Sequence, residues 1–135
     1  MIIQQIFGSC GSGKSMEMFK DMRDFKSEED KVLLLISEYN ISTAISFMKM
    51  NGVDMSNHLV DVYDMDGLDM KRFLINYEAV KKDYTYVYID IPNKIGRFGD
   101  FSDIKPFIHK DLKKICYTTQ LTTSMLLGTR HGCII

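Results

Sequence analysis

The residues best equipped for chemistry lie near the start of the chain, in Gly8-Ser9-Cys10-Gly11-Ser12-Gly13-Lys14-Ser15. This run satisfies GxxxxGK[ST] at every fixed position and directly follows the apolar stretch Ile2 to Phe7. Strand, glycine-rich turn and helix are the setting in which this pattern holds phosphates. Closely spaced glycines permit tight backbone conformations and leave room for an anion. The amides of the turn and of the first helical turn then point at it. Lys14 is placed to reach terminal phosphates, and Ser15 to offer its hydroxyl to magnesium. A chance Gly/Ser-rich turn is the competing reading, but it accounts for neither the full pattern nor its setting. The motif reports a triphosphate and not its base. The lack of an Asn-Lys-x-Asp guanine motif favours ATP.

The elements around this turn alternate in type. Ile2 to Phe7 is the first expected strand. A helix is expected from about Lys14 to Phe25, with Met18, Met22, Phe25 and Phe19 as its core stripe. Lys31 to Ser37 carries the strongest strand signal, Val32-Leu33-Leu34-Leu35-Ile36, whose unbroken hydrophobicity suits a central parallel strand. It delivers Glu38 to its C-terminal end, the edge that carries ligands in open α/β sheets. Asn40 or Ser42 can cap a second helix with Ile41, Ala44, Ile45 and Met48 buried, ended by Asn51-Gly52. Leu59 to Tyr63 is a short third strand. A third helix follows Asp69 and runs to about Lys82, with Phe73, Tyr77 and Val80 on one side, Leu74 beside them, and Lys81 and Lys82 matching its dipole.

Tyr84 to Ile91 is the fourth strand, and it ends in Asp90, a candidate magnesium acid. A surface-turn aspartate is the alternative. Pro92 to Phe101 has no period and carries Lys94 and Arg97, a solvated connection or a DNA-contacting loop. Ser102 is a candidate cap for a helix with Pro106 in its early turns, packed through Ile104, Phe107 and Ile108. Lys114 to Thr118 is a fifth strand, leading to Thr119 and Gln120. Leu121 to Leu127 is a short helix, Gly128 to Gly132 a turn, and Cys133 to Ile135 a last short strand. The alternation predicts one three-layer α/β domain over residues 1–135, with a mostly parallel five- or six-stranded sheet.

Composition narrows the partners. The 135 residues carry 45% hydrophobic and 26% charged residues, ordinary for a globular domain. A net charge of −1 excludes a polycation, so nucleic-acid contact needs a local patch, an assembled ring or a partner. No run has the length of a membrane span, and the opening apolar run reads as a core strand and not a signal peptide. The expected location is cytoplasmic, the host cytoplasm if the chain is phage-encoded. Cys10, Cys116 and Cys133 are odd in number and widely spaced, which argues against a disulfide scaffold. His131 and Cys133 are too few ligands for zinc.

Hydrolysis needs a group that activates water besides the magnesium acid. Asp90 is followed by Ile91-Pro92-Asn93, so no Glu stands directly after it, and Glu38 becomes the candidate base. With Leu35-Ile36-Ser37-Glu38-Tyr39-Asn40-Ile41-Ser42 as a strand end and Tyr117-Thr118-Thr119-Gln120-Leu121 as a second, the sequence resembles the RecA-like P-loop ATPases. The closest likeness is to the core of DnaB-type replicative helicases and small phage relatives. The resemblance spans about 120 residues and implies a P-loop NTPase fold, ATP and Mg2+ as cofactors, and Asp90 as the Walker B acid. It implies Glu38 as base and Gln120, on the strand pairing with that acid's strand, as sensor of the terminal phosphate. Arg130 is the candidate finger toward a neighbouring subunit, with a solvated turn arginine as the alternative. An exposed acid and a capping amide are the alternatives for Glu38 and Gln120. The helicases' N-terminal assembly region and later DNA loops have no counterpart, since this sequence stops about fifteen residues past Gln120.

Three functions are therefore expected in competition. The first is an ATP-hydrolysing protein of phage-type DNA replication, recombination or packaging. It would contact single-stranded DNA through Pro92 to Phe101 and the region after Gln120, and work as a homo-oligomer. The second is a nucleotide-gated accessory or inhibitor of a larger ATPase. The third is a nucleoside or nucleotide kinase, disfavoured because Arg23, Arg72, Arg97 and Arg130 are scattered and form no compact lid.

Overall fold

The computed structural model describes residues 1–8, 13–22, 30–53, 60–66, 69–91, 102–120 and 133–134. Its strands are β1 (Ile2–Gly8), β2 (Val32–Ile36), β3 (Val60–Asp64), β4 (Tyr86–Asp90), β5 (Lys114–Gln120) and the two-residue β6 (Cys133–Ile134). The helices are α1 (Lys14–Met22), α2 (Ile41–Met50) and α3 (Met70–Tyr77). The sheet order is β3-β2-β4-β5-β1-β6, and every pairing is parallel. The fold is therefore α/β with an all-parallel sheet.

A parallel strand inside such a sheet is covered on both faces, so it cannot alternate polar and apolar residues. All five residues of β2 are buried, as its apolar run requires. They feed two cores. On one face Leu34 and Ile36 join Met18, Phe19 and Met22 of α1 and Ala44 and Met48 of α2. On the other, Leu33 and Leu35 join Tyr77 of α3 together with Ile104 and Phe107. β3 is an edge strand, and its residues are only partly covered.

Four expectations need correction. Ile41 is 40% exposed because it sits in the opening turn of α2, before the helix has run back over the sheet. The third helix stops at Tyr77 and not near Lys82. Its backbone tightens to i→i−3 bonds, Ala79 N to Asn76 O and Val80 N to Tyr77 O, and continues as a 3-10 turn over Lys81–Asp83. Val80 is thereby turned out to 43% exposure, and Lys81 pairs with Glu78 at 2.7 Å instead of closing an α-helical dipole. The segment near Pro106 is a 3-10 turn, Lys105–Phe107, whose cap position is Ile104 and not Ser102. Ile104 and Phe107 are nevertheless fully buried, as their apolarity demanded. The fourth strand is Tyr86–Asp90, shorter than Tyr84 to Ile91, while the fifth ends at Gln120 in keeping with the expected Thr118-Thr119-Gln120 end. Phe25, Leu59, Pro92 to Phe101, the helix at Leu121 to Leu127 and the turn at Gly128 to Gly132 lie outside the described residues.

Candidate functional site

Gly13 opens α1 with φ +89°, a left-handed conformation that side chains resist. Its carbonyl accepts from Glu17 N at 3.1 Å, the first turn of the helix. Lys14 is therefore the first helical residue, only 7% exposed, and Ser15 follows, half-buried. Gly8 is the last residue of β1. Ser9, Cys10, Gly11 and Ser12 lie outside the described residues.

The helix is held to the sheet by charge. Lys114 Nζ, at the start of β5, lies 2.6 Å from Asp21 Oδ2, and Tyr88 donates to the same carboxylate at 3.0 Å. Both partners are largely covered, so this pair is worth more than an exposed one. It ties the far end of α1 to β4 and β5.

Strand order brings the remaining residues to one edge. β5 lies between β1 and β4, with Gly8 in register with Gln120 and Ile89 with Tyr117. Ile36 is in register with Asp90, and Ser37 N donates to Asp90 O at 3.2 Å. The C-terminal ends of β1, β2, β4 and β5 thus deliver Gly8, Ser37, Asp90 and Gln120 side by side. Gln120 is placed by its backbone; its side chain and Arg130 lie outside the description.

Asp90 is 1% exposed. A carboxylate so buried must be hydrogen-bonded. Thr118 donates its hydroxyl to Oδ1 at 2.7 Å, and the Tyr39 hydroxyl donates to Oδ2. Tyr39 is held by rings on two helices, Phe19 at 6.4 Å between centroids and Phe47 at 5.7 Å. Burial pushes its phenol well above the ordinary value, and the charge and hydrogen bond of Asp90 and the charge of Glu38 add to that. A hydrogen bond with Ser15 pulls the other way. Tyr39 therefore donates to Asp90 at the end of β4 while Ser15, at the start of α1, bears on the same phenol.

The turn that sets Tyr39 is strained. Glu38 has φ +73°, an uncommon conformation for a residue with a side chain. Strain of this kind clusters at functional sites. Glu38 is exposed, whereas Tyr39 turns inward. The β2 end thus contributes two neighbours of different fate, an acid to solvent and a phenol to the buried carboxylate.

No protein-family model matches this chain, and no curated protein does.

Sequence reasoning missed Tyr39 and Thr118. Each had a signal. Tyr39 follows the strand end that supplies Glu38, and Thr118 is a hydroxyl residue at the end of a strand expected to pair with that of Asp90. Cys116, also on β5, is buried with its thiol pushed up to about 12, mainly by desolvation. Among the described residues no group of three or more His, Cys, Asp and Glu could hold a metal. Among the same residues no helix is long and apolar enough to cross a membrane.

Proposed function

We propose that this protein is a magnesium-dependent, ATP-binding and ATP-hydrolysing P-loop protein of the RecA-like type. The work proposed for it is phage-type DNA replication, recombination or packaging. One observation carries the reading. The carboxylate of Asp90 and the hydroxyl of Ser15, in the GKS triplet, both act on one side chain, Tyr39: Asp90 accepts its hydrogen bond and Ser15 lowers its pKa. These are the two groups that the sequence assigns to the metal, from residues far apart in the chain. Magnesium held by both would need them close together, and their hard oxygen donors suit that ion.

The insertion of β5 between β1 and β4 supports the same reading, because it sets Gln120 beside both the phosphate turn and the Asp90 strand. In the proposed site Lys14 and the turn amides bind the phosphates. Ser15 and Asp90 orient the metal, which supplies neutralisation of the charge on the phosphate oxygens. Glu38 takes the proton of the attacking water, and Gln120 reports the terminal phosphate to the chain that follows it. Single-stranded DNA at Pro92 to Phe101 and beyond Gln120, and a homo-oligomer or a partner ATPase, belong to the same proposal.

The test is nucleotide binding and hydrolysis by the pure protein, with and without single-stranded DNA, beside Lys14→Ala. Binding that depends on magnesium and is lost in Lys14→Ala is expected. Failure of the unaltered protein to bind any triphosphate with magnesium would overturn the reading. One observation favours a second reading, the nucleotide-gated accessory protein: Asp90 already holds two hydroxyls while Glu38 stands exposed. Tight binding without turnover, together with capture of a larger ATPase, would select it.

A further inference from the structure

Each carboxylate oxygen of Asp90 accepts from a hydroxyl, Oδ1 from Thr118 and Oδ2 from Tyr39, and the residue is 1% exposed. A carboxylate so covered meets a cation, directly or through water, only when a covering group withdraws. The two hydroxyls are not equally free to do so. Thr118 is fully buried within β5, a strand flanked by β1 and β4, and its branched side chain has few rotamers. Tyr39 is half-buried on the turn after β2. The group able to withdraw is the phenol.

The turn confines that movement. Before it, Ser37 is held to the end of β4, its N–H donating to Asp90 O at 3.2 Å. After it, Asn40 caps α2, its side chain accepting from Thr43 N at 2.8 Å. Glu38 and Tyr39 lie between these anchors. Glu38 has φ +73°, and among the described residues no other residue with a side chain has a positive φ. Strain of this kind persists where neighbouring contacts impose it. The contacts of Tyr39 are its bond to Asp90 and its edge-on packing with Phe19 of α1 and Phe47 of α2.

We propose that Tyr39 is an autoinhibitory latch on Asp90, with Glu38 as its hinge. Latched, the phenol occupies the carboxylate and Glu38 keeps its left-handed turn. Unlatched, the phenol leaves one oxygen of Asp90 to a cation, Thr118 keeps the other, and Glu38 relaxes. The latch rests on the reading of Asp90 as the magnesium acid and adds regulation to it. Because the hinge and the candidate base are one residue, freeing the acid and setting the base become one event.

The experiment follows the full chain by NMR with its tyrosines labelled at 13Cζ, a position sensitive to whether the phenol donates. Tyr39 is assigned by the resonance missing from Tyr39→Phe. The β,γ-imido analogue of ATP with magnesium shifts the Tyr39 resonance, and the same analogue with EDTA leaves it in place. Tyr77, in the core on the opposite face of the sheet, is the unmoved control. Two variants test the hinge. Glu38→Gln and Glu38→Gly both lose the charge, but only glycine removes the strain of the latched turn. Glu38→Gly therefore needs about two- to fivefold more magnesium than Glu38→Gln for half-saturation with the analogue. Equal requirements, or a Tyr39 resonance that stays in place while the analogue binds with magnesium, overturn the latch and leave the nucleotide reading standing. No magnesium-dependent binding of the analogue overturns both.

Discussion

Replacing Tyr39 by Phe isolates the hydroxyl that donates to Asp90. The ring packing with Phe19 and Phe47 is kept; the hydrogen bond to a carboxylate that is 1% exposed is lost. Hydrogen bonds to charged groups are worth about 1.5–3 kcal/mol. For 135 residues, an unfolding entropy of about 2.1 cal/mol/K per residue gives about 0.28 kcal/mol/K, so Tm falls by about 5–11 °C. The same loss frees Asp90 for a cation. If Asp90 and Ser15 are the metal ligands, the magnesium needed for nucleotide binding drops about tenfold or more, the same free energy expressed as an equilibrium. Thermal unfolding without ligand and triphosphate titration at graded magnesium measure the two halves. An unchanged Tm with an unchanged magnesium requirement would refute the placement of the phenol. A lowered Tm with an unchanged requirement would leave the hydrogen bond in place and remove Asp90 from the metal.

Further outcomes follow from the same geometry. Glu38→Gln keeps nucleotide binding and loses turnover; unchanged turnover would remove Glu38 as the base. Glu38→Gly releases the left-handed strain and raises stability by about 0.5–1 kcal/mol in denaturant melts while also losing turnover. Cys116, with its thiol pushed up to about 12, resists iodoacetamide at pH 8 in the folded protein and reacts once unfolded, as read by mass spectrometry. The phenols of Tyr39, Tyr77, Tyr84 and Tyr88 are all raised, chiefly by burial. The unfolded chain therefore loses these protons first, and their contribution to stability, intact below about pH 10, declines above it. The slope is about 1.4 kcal/mol per pH unit for each phenol involved. Urea unfolding at pH 9 and 11 measures this, and equal stability at the two values would contradict the burial of these rings.

The strands were the most legible part of this sequence, because a parallel strand covered on both faces must be apolar throughout. Val32 to Ile36 and Tyr86 to Ile89 satisfy that without help from context. Helix ends were less legible. The core stripe through Phe73 and Tyr77 continues formally to Val80, but a tightened backbone turns Val80 outward, and periodicity carries no information about that change of pitch. Lys14, Ser15 and Asp90 were readable from motif and strand end. Tyr39 was not, because its role depends on the φ of Glu38 before it. Thr118 was missed for a different reason: the pairing of its strand with that of Asp90 was expected, but a hydroxyl in a strand carries no signal of the carboxylate it will face.

The strand leading into the glycine-rich turn finds its partners late. β1 spans Ile2–Gly8, yet its neighbours in the sheet are Lys114–Gln120 and Cys133–Ile134. Contacts across such separations close slowly, and during synthesis they must wait for the later segments to emerge. β2, β3 and β4, spaced at shorter intervals, can pair beforehand. An emerging chain of this kind would carry a half-built sheet with an open flank where β5 and then β1 must insert. The edge where Gly8, Asp90 and Gln120 meet would be among the last parts to mature, so a ribosome-bound intermediate would be structured in β2 to β4 and still lack it.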